Sequence, residues 1–237
     1  MRQFQALFQR ELAAFFYSPM SYVVWVVFLI ASGYLFAISI RDGGQASLYS
    51  SFTDIAFLFV FIAPMITMRL IAEEAKLGSL EILLSEPTHE VLIITAKYAA
   101  ALVFLMVLIT PTVAYAFILS AVGSPDVGPI ISGYFGLFLF GSLFIAIGIL
   151  FSSMTNHQIA AAAASFTLLL LLWAISRAAD AIAPGTLRNV LSYVSAFSRF
   201  SDFRRGIVDS RSMVYFVSST LLFLFLATRV LGLRRLR

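Results

Sequence analysis

Residues Ile131–Phe151, ISGYFGLFLFGSLFIAIGILF, form a stretch without a single charged side chain. The hydrocarbon core of a bilayer is about 30 Å thick and takes roughly 20 apolar residues of helix to cross, so this stretch reads as a membrane span. Working outward from it, five more charge-poor runs of similar character appear: Tyr22–Ile40, Thr53–Met68, Tyr98–Leu119, Ile159–Ser176 and Met213–Leu231. Asp54 stands at the edge of one and Arg229 near the end of another, neither at mid-bilayer. The chain as a whole agrees, with 61% apolar and 12% charged residues and a mean hydropathy of +0.96. Soluble domains carry about 25% charged residues, so the surplus apolar surface here must meet lipid. The expected fold is an all-α membrane protein of six transmembrane helices, read as one domain over residues 1–237.

The segment before the first span is a helix of another kind. Phe4, Leu7, Phe8, Leu12, Phe15 and Phe16 recur at the spacing of one helical face, with Arg2, Gln3, Gln9 and Arg10 opposite. Pro19 ends it, giving an amphipathic N-terminal helix over residues 1–18. Its aromatics are expected in the acyl boundary of the membrane surface, with packing on the bundle as the alternative.

Counting Lys and Arg between spans puts nine of the 16 on the side of the termini and seven on the other. The near balance comes from one loop, Arg177–Ser212, which holds six of them. That loop also repeats Leu187, Val190, Leu191, Val194 and Phe197 at helical spacing, so it is expected to carry two short amphipathic helices, near Leu187–Phe197 and Phe200–Ile207, on the extracytoplasmic side. Both termini are then cytoplasmic, which also places Lys76 and Lys97 in the cytoplasm.

Several chemistries are excluded. The chain has no cysteine and only His89 and His157 as imidazoles, which leaves no thiolate or multi-histidine metal site. No G-x-x-x-x-G-K-[ST] loop is present to cradle phosphates, so the chain does not hydrolyse ATP by itself. The span interiors carry essentially no carboxylates or histidines, which disfavours an ion-coupled carrier. No G-x-S-x-G motif supports a hydrolase. Four of the basic residues crowd the last nine positions, as suits a tail beside anionic headgroups rather than a nucleic-acid groove. Pro64 and Pro111 are expected to bend their spans, and Gly133, Gly141 and Gly148 to form one close-packing face inside the bundle.

One connection is dense in charge. Residues 69–97, RLIAEEAKLGSLEILLSEPTHEVLIITAK, carry Arg69, Glu73, Glu74, Lys76, Glu81, Glu86, Glu90 and Lys97. Gly78 allows a break, Leu80, Ile82, Leu83 and Leu84 offer an apolar patch, and Pro87 with Thr88 stops one segment and caps the next. A short apolar helix rimmed with carboxylates suits docking in a groove on another protein; a solvated loop is the alternative.

Taken with ELAAFFYSPMSYVV (11–24), SGYLF (32–36) and FSRFSDFRRGIVDSRSMVYF (197–216), the segment MRLIAEEAKLGSLEILLSEP (68–87) resembles the ABC-2 type permeases, and within them the gliding-motility-associated and copper-enzyme-maturation permease subunits. The match to their pattern falls on Arg69, Glu73, Glu74, Gly78, Ser79, Leu80, Glu81 and Pro87, with Ser79 where threonine is common. The resemblance implies a six-span subunit of the bacterial inner membrane. Such a subunit pairs with a second permease copy or relative and with separate ABC ATP-binding subunits, so ATP is bound by the partner and the chain needs no cofactor. By the same resemblance residues 69–97 correspond to a coupling helix, with Arg69, Glu73, Glu74, Gly78, Leu80, Glu81, Leu83, Leu84 and Pro87 as the ATPase-coupling residues. The N-terminal helix corresponds to a membrane-surface elbow. Cargo is not implied. The alternative within this resemblance is an energy-transducing scaffold that passes ATP-driven motion to a membrane-anchored extracytoplasmic partner and moves no solute.

Overall fold

The computed structural model describes residues 2–43, 47–85, 89–123, 125–182, 185, 191 and 195–235, and among these there is no strand. The helices are α1 (Arg2–Tyr17), α2 (Pro19–Gly43), α3 (Tyr49–Thr67), α4 (Ala72–Leu77), α5 (Ser79–Ser85), α6 (Glu90–Ile109), α7 (Val113–Val122), α8 (Val127–Met154), α9 (Gln158–Ala181), α10 (Ala196–Arg204) and α11 (Ser210–Arg235). Six helical stretches are long and apolar enough to cross a membrane: Pro19–Arg41, Tyr49–Leu77, Glu90–Ala121, Val127–Met154, Gln158–Ala179 and Ser210–Arg234. Each contains one of the runs read from the sequence and extends beyond it, because polar residues at the ends continue the helix after the apolar run has stopped.

The spans are not equivalent. In α8, 78% of the most apolar window is buried within the chain, and in the span built on α3, 67%, against 22% for α2 and α9 and 28% for α11. Helices α3 and α8 are therefore the core pair, and the outer spans turn their apolar surface to lipid. Close approach of the pair depends on small residues. A Cβ at Gly133 would fall on the ring of Phe52, at Gly141 on Leu105 and Phe59, and at Gly148 on Thr67, so the glycine face of α8 is internal packing.

Pro19 occupies the first turn of α2, where its missing N–H leaves no helical bond unmade. It separates α2 from α1, whose Phe15 is buried and stacks on Phe104 of α6 with ring centroids 5.0 Å apart. Leu7, Phe8 and Leu12 are half-buried against the same core, while Phe16 and Tyr17 remain exposed. Packing on the bundle thus accounts for Phe15, and the boundary position is left to the end of the helix.

The third span is interrupted where Pro111 stands in a single 3-10 turn, Thr110–Thr112, between α6 and α7. The Thr112 hydroxyl donates to the Ile109 carbonyl at 2.7 Å, and the Tyr134 hydroxyl of α8 donates to the Thr112 carbonyl at 2.6 Å. Two carbonyls at the break thus take side-chain donors, one locally and one from the core helix.

At the end of the bundle away from the termini, α10 starts at Ala196 rather than near Phe200, and reversal of the chain at Gly206, with φ +86°, follows its last turn. Ser195 caps it, accepting from the Ser198 N–H at 3.2 Å. The other expected short helix, near Leu187–Phe197, falls largely outside the described residues. Helix α10 buries Phe200 and Phe203 against α8 instead of lying free on a leaflet, and Phe140 of α8 meets Phe197 and Phe200 at 4.8 and 5.3 Å.

Candidate functional site

The charged connection folds as two short helices joined by a sharp break at the end of the bundle that carries both termini. Helix α4 stops because Gly78 takes a left-handed conformation, φ +74°, which a residue with a Cβ adopts only with strain. Helix α5 then starts at Ser79, whose hydroxyl donates back to the Glu74 carbonyl at 3.3 Å. The turn between α3 and α4 is held from α8. The buried Ser152 hydroxyl accepts from the Ile71 and Ala72 N–H groups at 3.2 and 3.1 Å and lies 3.3 Å from the Met68 carbonyl, to which it donates. One side chain thus satisfies the backbone where the ladder of α3 ends.

Charge ties this connection to two other elements. Lys97 lies in α6, only 1% exposed, with Nζ 3.0 Å from Glu11 Oε1 of α1 and 2.9 Å from Glu74 Oε2 of α4. Arg10 Nη2 closes the circuit, donating to Glu11 Oε1 at 2.7 Å and Glu74 Oε1 at 2.9 Å. Two carboxylates and two cations balance, as burial of charge requires. Nearby, Arg69 donates through Nε to Glu73 at 2.8 Å and through Nη1 to the Ser18 hydroxyl at 2.6 Å, joining the end of α3 to the hinge between α1 and α2. Among the described residues no cluster of three His, Asp or Glu side chains gathers that would hold a metal ion.

Two expectations need correction here. Lys97 was read as the end of a loop, but α6 begins at Glu90, so the lysine sits two turns inside a helix. The apolar patch of α5 also points elsewhere. Leu80 and Leu83 are 3% and 6% exposed and pack into the chain's own core, because α5 folds back on the bundle and the least costly place for two leucines is inside it. On α4 and α5 the exposed positions among the described residues are Lys76, Leu77, Ser79 and Glu81, with Leu77 73% exposed. The Leu84 side chain and Pro87 lie outside the described residues. Glu81 also borders a cleft of about 470 Å³ formed with Asn156, His157 and Arg234, so the loop after α8 and the end of α11 share this face.

Arg10, Glu11, Lys97 and Ser152 were not singled out from the sequence, yet two of them carry a signal there. Glu11 falls on the same helical face as Leu7 and Phe15, four residues away on each side, and Lys97 interrupts an apolar stretch that starts at Val91 rather than at Tyr98. A charge on an apolar face or within a span is expected to have a partner.

The family model for ABC-2 family transporter proteins matches residues 7–234. The chain belongs to the ABC-2 transporter family. It is a multi-pass membrane permease component of an ABC transporter, and family membership implies pairing with an ABC ATP-binding subunit. Among curated proteins, none matches the chain. At the terminus-bearing end, α4 is tied through Glu74 to Arg10 of α1 and Lys97 of α6.

Proposed function

We propose that α4–α5 is the site at which a cytoplasmic ATP-binding subunit seats on this permease, and that ATP-driven displacement of the segment is passed to the spans to move a substrate across the bacterial inner membrane. The termini are then cytoplasmic, and a second permease copy or relative completes the pathway. The observation that carries this reading is the buried Lys97, which joins the connection at Glu74 to the N-terminal helix at Glu11. Force applied at Glu74 reaches α1 and α6 through contacts of about 3 Å, close enough for charge to resist separation. The seat differs from the one the sequence suggested. Leu80 and Leu83 brace α5 from within, and Leu77, Ser79 and Glu81 face outward to the partner.

Co-expression tests the proposal. The purified chain alone is expected to show no ATP turnover, and an ABC ATP-binding subunit co-purified with it is expected to form a complex that hydrolyses ATP. Because the chain has no cysteine, single cysteines at Ser79 and Ile207 report topology cleanly. An impermeant thiol reagent should label Ile207→Cys from outside intact cells and Ser79→Cys only after the inner face is opened; the reverse pattern would place α4–α5 outside and end the proposal.

A further inference from the structure

A cavity of about 290 Å³ opens between α1, α2, α3 and α4, beside the Lys97 network. That volume is at the lower end of small-ligand sites, about 300 to 1,000 Å³. One part is apolar, lined by Phe15, Val24 and Met65, which belong to the ends of α1 and α3 and the start of α2. The other part is charged. Met65 is in the last turn of α3 and Arg69 lies one turn further along the chain, so the cavity runs from the end of a span to the polar zone beyond it. This is the depth of lipid headgroups.

The charged groups are not equally occupied. Glu11 and Glu74 are engaged by Lys97 and Arg10. Arg69 uses Nε on Glu73 Oε2 and Nη1 on Ser18, which leaves its Nη2 donor and the Glu73 Oε1 acceptor without a partner among the described residues. Both side chains are about one-third exposed, at 34% and 33%. The cavity therefore presents one cationic donor and one anionic acceptor side by side, above an apolar wall. An anionic headgroup would satisfy the arginine and bring uncompensated negative charge against Glu73, whereas a zwitterion satisfies both.

We propose that this cavity binds a diacyl phospholipid with a primary-amine zwitterionic headgroup, phosphatidylethanolamine in chemistry, its phosphate on Arg69, its ammonium on Glu73 and its first acyl carbons along Phe15, Val24 and Met65. The site holds the headgroup and glycerol, and the tails continue into the bilayer. A phosphatidylcholine has the same charges but no N–H to donate to Glu73, so the two lipids differ at one atom and isolate that contact. Bound there, the lipid bridges the hinge at Ser18 to the start of α4.

The test is native mass spectrometry of the purified full chain in detergent, titrated separately with palmitoyl-oleoyl phosphatidylethanolamine, phosphatidylcholine and phosphatidylglycerol. The ethanolamine lipid is expected to bind about tenfold tighter than either of the others, the size of one lost hydrogen bond to a charged group. Glu73→Gln should bring it to within about twofold of phosphatidylcholine, because the amide no longer holds the ammonium as an ion. Arg69→Gln should weaken both zwitterionic lipids about tenfold, since both carry the phosphate. Met65→Trp, which fills the apolar part and leaves the charges in place, should remove the tight site altogether. Arg211→Gln, exposed at the far end, should change nothing. Should Arg69→Gln fail to fold, Glu73→Gln and Met65→Trp decide the matter between them. Equal binding of all three lipids, a preference for phosphatidylglycerol, or a Glu73→Gln chain that still discriminates would each overturn the proposal. So would displacement of the lipid by millimolar glycerophosphoethanolamine, which lacks acyl chains and would show that the apolar wall plays no part.

Discussion

The two ends of the bundle hold their polar residues in opposite ways. At the terminus-bearing end charge meets charge: Lys97, Glu11, Glu74 and Arg10 form a closed circuit across three helices. At the other end arginines meet aromatic rings and hydroxyls, with Asp54 as a charged neighbour of Arg204. Arg204 lies 4.3 Å from the centroid of Tyr49 and donates to Thr53, Arg199 lies 6.0 Å from the ring of Tyr215, and Ser132 donates to the Phe203 carbonyl at 2.8 Å. A cation on a ring tolerates small shifts, because the attraction varies slowly with position. A buried ion pair does not, since separating the charges in a poorly solvated site exposes both to the full desolvation penalty. The far end is held by apolar packing, and the near end is a joint of linked charges.

The largest effect is expected at the joint. Lys97→Met leaves Glu11 and Glu74 with only Arg10 between them and should destabilise the chain by about 3 to 5 kcal/mol, read as a lowered melting temperature in detergent. Combining Lys97→Met with Glu11→Gln restores the charge balance and should recover part of that loss. If the single variant melts like the wild type, the circuit contributes no stability and does not act as a joint.

A smaller loss is expected where α8 holds the root of α4. Ser152→Ala removes the acceptor of the Ile71 and Ala72 N–H groups, and a buried donor left unmade costs about 1 to 3 kcal/mol. Gly148→Ala in the same region drives a methyl group onto Thr67, for an overpacking loss of about 1 to 3 kcal/mol. The two sharpen the contrast by mode: Ser152→Ala should loosen protease protection at α4 specifically, whereas Gly148→Ala should lower global stability.

The smallest effect belongs to the far end. Arg204→Gln gives up cation–π contacts, a hydrogen bond to a hydroxyl and the attraction to Asp54, together expected at about 1 to 2 kcal/mol, with no change in coupled ATP turnover. A loss of turnover comparable with Lys97→Met would show that the two ends are not distinct in function.

Much of the fold was legible because a membrane span announces itself by length. All six are legible as charge-poor apolar runs, and the glycine face of α8 from its spacing alone. The joint was harder to read. Its members come from three stretches far apart in the chain, Arg10 and Glu11, Glu74, and Lys97, and spacing along a helix carries no record of what packs across it. An apolar run counted from Tyr98 leaves Lys97 in the preceding loop, although Val91–Ala96 before it is also largely apolar. Leu80 and Leu83 misled in the opposite direction. An apolar stripe on a short helix is compatible with docking on a partner or on the chain itself, and only the fold of α5 against the bundle separates the two.

The central claim is that the outward face of α4–α5 receives the ATP-binding subunit, and complex yield measures it most directly. Leu77→Glu and Ser79→Arg each place a charge on that face, and Ile207→Glu does the same at the far end. Truncation or reversal at a well-packed contact commonly loses about 2 kcal/mol or more, some thirtyfold in affinity. Co-purification of the ATP-binding subunit should fall at least tenfold for both near-end variants and remain at the wild-type level for Ile207→Glu; wild-type yields from Leu77→Glu and Ser79→Arg alike would contradict the account.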